Sequence, residues 1–587
     1  MCGIIGYKGF RNAGDILVKG LKKLEYRGYD SWGIAIKNKE RLSFIKKIGK
    51  IKDFNEELEF SGNLGIGHTR WATTGKVSET NAHPHFSCDK KIALVHNGII
   101  ENYQELKRKL MDKGHEFYSE TDTEVIAHLI EDNIDSGLLL EDSVKKAAEE
   151  LKGRSAFVVI SKDNDKIIAI RNGSPLIIGV GDNEYFIASD IPAFLEYTNK
   201  VMYLDDNEMA IINNKIEFYS LIQNKKVKKR LIEIDWDTKQ AERGSYPHFM
   251  IKEIMEQKET IRNAINQNDK DLLKIADSIK NAFGTFIIGC GTAGKVALTA
   301  QYLFSIIANK HINSIFASEF PNYHHFLTDK TLVIAISQSG ETADVLEAIK
   351  TAREKQAKII SILNVYGSSM MRQSHESIMI NAGPEKAVAS TKATTAQLAL
   401  VTLLAYACAN KLEEGKRLLI ETASQVNDML NPRYEDYIKT LAEKICNQEN
   451  IYIIGRSLNY PMALEAAIKI QEVSYIHAEG FAGGELKHGP LALIGKNTPC
   501  IALVANDETK DEILVNANEV KVRGGFIIGI SPENNSIFDY WIKVPDINNA
   551  SPIVNIIPIQ ILAYHLALLR GCDPDYPRSL AKSVTVK

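Results

Sequence analysis

Over roughly the first 235 residues, hydrophobic positions alternate with polar ones in short stretches such as 91–95 (KIALV) and recur at helical spacing in others such as 123–131 (TEVIAHLIE). The first pattern predicts half-buried strands and the second amphipathic helices, with Gly-rich turns between them, so 1–235 is expected to be an α+β domain. Residues 235–246 (DWDTKQAERGSY) are polar and nearly free of aliphatic side chains, and Pro247 precedes a new helical pattern over about 250–265. A linker is predicted at 236–249. Beyond it one arrangement occurs twice: 286–298 (FIIGCGTAGKVAL) and 452–464 (YIIGRSLNYPMAL) each read as an apolar strand, a glycine turn and a helix start. Second strands follow at 332–336 and 500–505, and third strands at 359–364 and 526–530. Strands alternating with helices predict parallel sheets covered on both faces, so 250–430 and 431–570 are expected to be two three-layer α/β sandwich domains, with a tail at 571–587.

Composition narrows the function classes. The 587 residues suffice for several cores, 44% are hydrophobic, and 71 Lys and Arg against 74 Asp and Glu leave a net charge of -3. That balance gives no basic footprint for nucleic acid or an anionic membrane surface. The apolar stretches 398–409 and 556–569 read as too short or too interrupted (Pro558, Gln560, His565) to span a bilayer, and are expected to be buried helices. The opening MCGIIGYKGF has no basic n-region, so no secretory signal is expected. Seven widely spaced cysteines (Cys2, Cys88, Cys290, Cys408, Cys446, Cys500, Cys572) lack any CxxC pair, which suggests neither a disulfide framework nor a zinc site, and a reducing, cytoplasmic setting is expected.

Removal of Met1 before the small residue Cys2 would place a thiol and a free α-amine on one residue, a nucleophile with its own base near neutral pH. Position alone favours an ordinary exposed N-terminal cysteine. Five further motifs change the weighting: 26–31 (YRGYDS), 67–75 (GHTRWATTG), 81–85 (NAHPH), 96–102 (HNGIIEN) and 119–124 (SETDTE). Together with CGIIG, and in this order, they resemble the glutaminase domain of class II amidotransferases, which implies a four-layer N-terminal-nucleophile sandwich. The resemblance implies Cys2 as nucleophile, with Asn97 and Gly98 as the oxyanion site. It implies that Arg70 pairs with the α-carboxylate of glutamine and Asp122 with its α-ammonium, with Trp71, Thr73 and His83 completing the glutamine site. Taken singly, Asn97-Gly98 also fits a hairpin turn, Arg70 a surface ion pair and Asp122 a helix N-cap. Thr74 stands where many relatives have His.

In the second half, 337–342 (SQSGET) follows a strand and opens a helix, and 390–392 (STK) precedes a long helix; both fit an anion at a helix N-terminus, and both fit simple N-capping. The helix from Pro461 carries Glu465, Lys469 and Glu472 on one face of an otherwise apolar segment, either a solvated stripe or a charged strip turned into a cleft. SQSGETAD, VASTKA (388–393), EVSYIHAEGFAGGELKHGPL (472–491) and DYPRSLAKSVTV (575–586) resemble the paired sugar isomerase (SIS) domains and tail of amidotransferases that aminate fructose 6-phosphate. The resemblance spans essentially the whole chain. It implies L-glutamine and fructose 6-phosphate as substrates and glucosamine 6-phosphate as product, the first step of hexosamine synthesis.

Within that resemblance Lys582 forms an imine with the sugar C2 carbonyl, Glu472 moves the proton between C1 and C2, and Lys469 balances charge beside it. His488 opens the ring and is lent by a neighbouring subunit, which implies a homodimer. Ser337, Gln338, Ser339 and Thr342 hold the phosphate, with Thr292, Val388, Ala389 and Ser390 nearby; Ala293 stands where relatives often carry a hydroxyl. Trp71 gates an ammonia channel past which the tail runs. No metal or organic cofactor is implied. The competing readings are a related SIS enzyme on another sugar phosphate, a fructosamine-phosphate deglycase, and a non-catalytic sugar phosphate sensor. Phosphoribosylating amidotransferases and asparagine synthetases need nucleotide or pyrophosphate loops that the sequence lacks.

Overall fold

The computed structural model describes residues 2–39, 41–234 and 242–585. The chain divides into two compact units, Met1–Glu242 with Ala581–Lys587, and Arg243–Leu580. Of the linker expected at 236–249, residues 236–241 lie outside the described residues, and 242–248 form neither helix nor strand.

The first unit is built on two antiparallel sheets of eight and seven strands. Its layering follows from period-two alternation, which sends successive side chains to opposite faces. In the strand Gly3–Lys8, Ile4 joins an apolar cluster with Ala93, Val95 and Val158 of the other sheet, whereas Ile5 and Tyr7 pack on the far side with Leu17 and Leu21 of the helix Ala13–Leu24. In the second sheet Leu94, Phe157 and Val159 turn outward, against the helices Tyr103–Asp112, Glu124–Asp135 and Leu140–Glu150. The order is therefore helix, sheet, sheet, helix, the expected four-layer sandwich. The strand expected at 91–95 runs as Ile92–Gly98, and the helix expected at 123–131 as Glu124–Asp135.

The second unit contains two five-stranded parallel sheets with the same topology. In the first, the strand Gly284–Gly289 lies between Asn313–Phe316 and Thr331–Ser337, followed by Lys358–Leu363 and Glu376–Met379. In the second, Asn450–Gly455 lies between His477–Ala482 and Pro499–Leu503, followed by Phe526–Ser531 and Tyr540–Lys543. In both repeats the chain leaves the first strand toward one edge of the sheet and returns to add the third strand on its other side. That reversal opens a crevice at the carboxyl ends of the first and third strands, where ligands of such sheets bind. The helical pattern expected over about 250–265 is two helices, Phe249–Met255 and Gln257–Ile265, that meet at Glu256. One apolar cluster joins Leu272, Ile334 and Leu400 of the first repeat to Ile453, Ile470 and Ile557 of the second, while each repeat also keeps a cluster of its own, around Ile288 and Val333 in the first and Ile454 and Ala502 in the second.

Both long apolar runs are buried helices, Lys392–Cys408 and Ser551–Leu569. The second corrects an expectation. The stretch Asn548–Leu569 is long and apolar enough to cross a membrane, because the helix starts well before Ile556 and continues through Pro558. Every residue from Ser551 to Ala567 is buried, and the helix packs on Pro432–Ile445 and Tyr460–Ser474, so here it is a core helix.

Candidate active site

In the first unit, Cys2 precedes the strand Gly3–Lys8, whose pairing of Gly3 with Thr69 brings the thiol alongside the end of the strand Leu64–Arg70. The Trp71 N–H donates to Cys2 Sγ at 3.2 Å, and Sγ lies 3.5 Å from the Trp71 carbonyl. Asn97 Nδ2 donates to the Cys2 carbonyl at 3.0 Å, and Arg27 Nε donates to the same oxygen at 3.2 Å. Burial pushes the thiol up, and the Trp71 N–H, Arg70 and Arg27 partly offset it. To act as a nucleophile this thiol would need a base beside it, since burial disfavours the thiolate.

Asn97 is fixed by a residue outside the expected set. Buried His68 places Nε2 3.1 Å from Asn97 Oδ1 and 3.0 Å from the His96 carbonyl. Burial holds the His68 ring neutral, its pKa lowered to about 3, so a protonated Nε2 serves both acceptors and leaves the Asn97 NH2 toward Cys2. Gly98 has φ +134°, and a Cβ there would stand 2.0 Å from the Arg154 carbonyl, so this position requires glycine. Asn97 and Gly98 end the strand Ile92–Gly98, within the ladder to Ser155–Ser161, and are not a two-residue hairpin turn.

Arg70 is buried and donates from Nη2 to the carbonyls of Thr74 at 2.6 Å and Gly75 at 2.9 Å, and from Nη1 to Lys76 at 3.3 Å. Its guanidinium thus organises the loop that carries Trp71, Thr73 and Thr74. Asp30 accepts from the Ala72 N–H at 2.8 Å, and Tyr29 meets the Trp71 ring edge-on at 5.6 Å between centroids. Asp122 is buried and accepts from the Ile100 N–H at 2.7 Å; it does not cap its own helix. His83 is buried, stacks on His68 at 4.0 Å, accepts from the His96 N–H through Nδ1 and approaches Thr123 through Nε2. Thr73 is exposed. Arg27, Asp30 and His68 are positioning residues absent from the expected set, although all three lie inside the motifs YRGYDS and GHTRWATTG.

In the second unit, the charged strip on the helix Tyr460–Ser474 is turned inward. Glu465 and Lys469 are fully buried; Lys469 Nζ lies 3.5 Å from Glu465 and 2.5 Å from the half-buried Glu472. Thr292, in the first turn of the helix Gly291–Ala308, donates to Glu465 Oε1 at 2.9 Å. It sits past the end of the first strand of its sheet, at the crevice described above. Burial raises Glu465 to about 7, with Lys469 working against that shift and Glu472 reinforcing it. Burial alone would lower Lys469, but Glu472 and Glu465 outweigh it and Glu385 adds to the upward shift.

The SQSGET segment follows the adjacent strand Thr331–Ser337. Ser337 Oγ accepts from the Gly340 N–H at 3.0 Å and lies 3.1 Å from Thr342 Oγ1, Ser339 Oγ accepts from the Glu341 N–H, and the Gln338 carbonyl accepts from Asn364. Thr342 stands at the N-cap of the helix Ala343–Glu354 and makes no side-chain cap, so N-capping does not account for this motif. At the helix Lys392–Cys408 the cap comes from elsewhere: Glu385 accepts from the N–H groups of Thr391 and Ala393 and from Ser390 Oγ. Ala389 is buried, and the Val388 N–H already donates to the Asp575 carbonyl at 3.1 Å. Asp575 also accepts from Phe249 and Met250 N–H groups at 2.8 Å each, which ties the start of the tail to the first helix of this unit. His488 is exposed and makes no hydrogen bond or ion pair among the described residues. Lys582 is half-buried in the segment that belongs with the first unit.

A family model described as a glutamine amidotransferase domain matches residues 68–196, and one described as an SIS domain matches 278–407 and 444–570. The chain is 45% identical to a Thermococcus kodakarensis protein named glutamine–fructose-6-phosphate aminotransferase, isomerizing, with 100% of both chains covered. A Pyrococcus horikoshii protein of the same name is 44% identical, again over 100% of both. The chain belongs to this family. Among solved structures, the C-terminal domain of glucosamine-fructose-6-phosphate aminotransferase from Francisella tularensis is 35% identical, covers 56% of this chain and 99% of its own, and aligns with a TM-score of 0.53.

The Glu465 shift carries a stability prediction. A carboxyl whose folded pKa of about 7 exceeds the usual 4.5 contributes stability that is fully present below about 4.5 and lost as pH rises to about 7. The urea midpoint of the second unit, wild type minus Glu465→Gln, should therefore fall across that window. A flat difference would mean that Glu465 titrates as an ordinary carboxyl.

Proposed function

We propose that the chain transfers the amide nitrogen of L-glutamine to fructose 6-phosphate and isomerises the product to glucosamine 6-phosphate, releasing glutamate. The observation that carries this reading is the pairing, in one chain, of a Cys2 whose thiol accepts from the Trp71 N–H and whose carbonyl accepts from Asn97 with a buried Glu465–Lys469–Glu472 strip at a sugar-isomerase crevice. With Met1 removed, the Cys2 α-amine takes the thiol proton and the thiolate attacks the glutamine δ-carbon. The tetrahedral oxyanion is met by Asn97 Nδ2 and the Gly98 N–H; its collapse breaks the C–N bond, the proton leaves with ammonia, and water hydrolyses the thioester to glutamate. At the second site Lys582 condenses with the C2 ketone and releases water, ammonia displaces the lysine, and Glu472 takes a proton from C1 and returns it to C2. The SQSGET hydroxyls and the uncapped helix N-terminus receive the 6-phosphate. An exposed, unengaged His488 suits a residue lent to a second copy, as in a homodimer, and seven free cysteines suit a reducing cytoplasm.

The test is mass spectrometry of hexosamine 6-phosphate after mixing the protein with fructose 6-phosphate and amide-15N glutamine. Labelled glucosamine 6-phosphate is expected; none from folded protein would favour a sugar phosphate sensor or another sugar substrate. Glu472→Gln should lower turnover on the order of 10^2-fold, the usual worth of a positioned acid/base. Borohydride should still trap fructose 6-phosphate on Lys582 in that variant, because imine formation precedes the proton transfer; loss of trapping would move Glu472 to an earlier step.

A further inference from the structure

Sequence spacing gives no zinc pattern, yet the first unit brings four ligand-type side chains together from three separate segments. Cys88 lies in the turn between the strands His85–Phe86 and Ile92–Gly98, His115 follows the helix Tyr103–Asp112, and His128 and Glu131 share one face of the helix Glu124–Asp135. Cys88 Sγ is 3.7 Å from His115 Nδ1 and 3.5 Å from His128 Nδ1. Glu131 Oε2 is 3.1 Å from His115 Nδ1 and 3.2 Å from His128 Nδ1, and all four atoms lie within 4.8 Å of one another. Ligands held on a tetrahedron at about 2.3 Å for sulfur and about 2.0–2.1 Å for nitrogen and oxygen stand roughly 3.6 Å apart for S–N pairs and roughly 3.3 Å for N–O pairs. The observed spacings match both values.

Hydrogen bonding alone accounts poorly for the cluster. Glu131 Oε2 already accepts from the Cys88 N–H at 3.0 Å, so both imidazole Nδ1 atoms converge on an oxygen with only one further lone pair. The outward nitrogens face carboxylates: buried His128 Nε2, without a hydrogen-bond partner among the described residues, is 3.7 Å from Glu124, and His115 Nε2 is 3.9 Å from Asp132. A carboxylate behind each imidazole is the outer arrangement that sets a metal-binding histidine to present its other nitrogen to the ion.

We infer that Cys88, His115, His128 and Glu131 form a structural site for a zinc-class divalent ion in the glutaminase unit. Four protein ligands close a tetrahedral shell, which suits a staple and not a catalytic metal with an open position. The staple joins the strand that ends in Asn97 and Gly98 to the helix that Asp122 precedes, so it braces the frame of the glutamine site without entering it.

The test uses the full chain, dialysed against zinc and then metal-free buffer, with zinc measured by mass spectrometry and cobalt substitution followed by absorption. About one zinc per chain is expected, and the cobalt form should show tetrahedral d–d bands with a thiolate-to-cobalt charge-transfer band. Cys2→Ala should keep that band, Cys88→Ser should lose it, and Glu131→Gln should weaken zinc retention by about tenfold or more, folding of the first unit being checked by near-UV circular dichroism and resistance to limited proteolysis. No retained zinc in the wild type, a charge-transfer band that survives Cys88→Ser, or one that disappears in Cys2→Ala would overturn the assignment.

Discussion

Cys2→Ala should abolish glutamine hydrolysis, by about 10^4-fold or more, the scale on which loss of a covalent nucleophile is felt when its partners act as one unit with it. The argument is local. Among the described residues the Trp71 N–H donates to the thiol, and the Asn97 amide and Arg27 are both directed at the Cys2 carbonyl, so these donors are arranged around a single residue. None of them is itself a nucleophile that could substitute. Alanine removes the sulfur without adding bulk, and the backbone bonds to Asn97 and Arg27 survive, so the fold of the site should persist. Fructose 6-phosphate affinity should be unchanged, because the SQSGET loop and the Glu465–Lys469–Glu472 strip belong to the other compact unit. Glutamate release and sugar binding, measured on one preparation, separate the two outcomes. Near wild-type glutamate release from Cys2→Ala would remove the nucleophile from the scheme altogether.

The sequence was most legible where one residue's pattern sufficed. Alternation at 91–95 and the repeated strand–glycine–helix pieces are local signals, and both became the elements they suggest. Helix length was less legible: Pro558 reads as an interruption, but burial of every residue from Ser551 to Ala567 outweighs the lost backbone bond and the ring clash, and the helix Ser551–Leu569 runs through it. Core sharing between the two sandwiches was not legible at all, because no local pattern says which apolar face meets which.

The site divides in the same way. Cys2, Asn97 and Arg70 stand in recognisable motifs, but their partners are set by strand pairing over long separations: Gly3 beside Thr69, and Asn97 against His68. His68 carries no signal beyond its place in GHTRWATTG. Glu385, whose carboxylate holds the turn before Lys392 and bears on Lys469, has no motif whatever. The Cys88 cluster was hidden for a related reason. Search for zinc by spacing works where a loop supplies paired ligands, and here three segments supply them singly or as an i,i+3 pair on a helix.

Lys469→Met should destabilise the second unit by about 3–5 kcal/mol, the usual result of removing one partner from a buried ion pair. Lys469 and Glu465 are both fully buried, and Glu472 lies 2.5 Å from the same ammonium, so the substitution leaves two carboxyls facing one another without their shared cation. Methionine is close to lysine in length and fills the space, so cavity formation adds little. Glu465 can relieve part of the penalty by taking up a proton, since burial already holds it at about 7. The loss in urea midpoint should therefore be smaller at pH 6 than at pH 8. Turnover to glucosamine 6-phosphate should fall by about 10^3-fold, because Glu472 loses the ammonium 2.5 Å away that positions its carboxylate. Combining Lys469→Met with Glu465→Gln removes the stranded buried charge and should restore much of the stability but none of the turnover. If instead Lys469→Met keeps both the midpoint and the turnover of the wild type, the strip is a passive feature of the core, and the proton transfer must be sought at another carboxylate of the crevice.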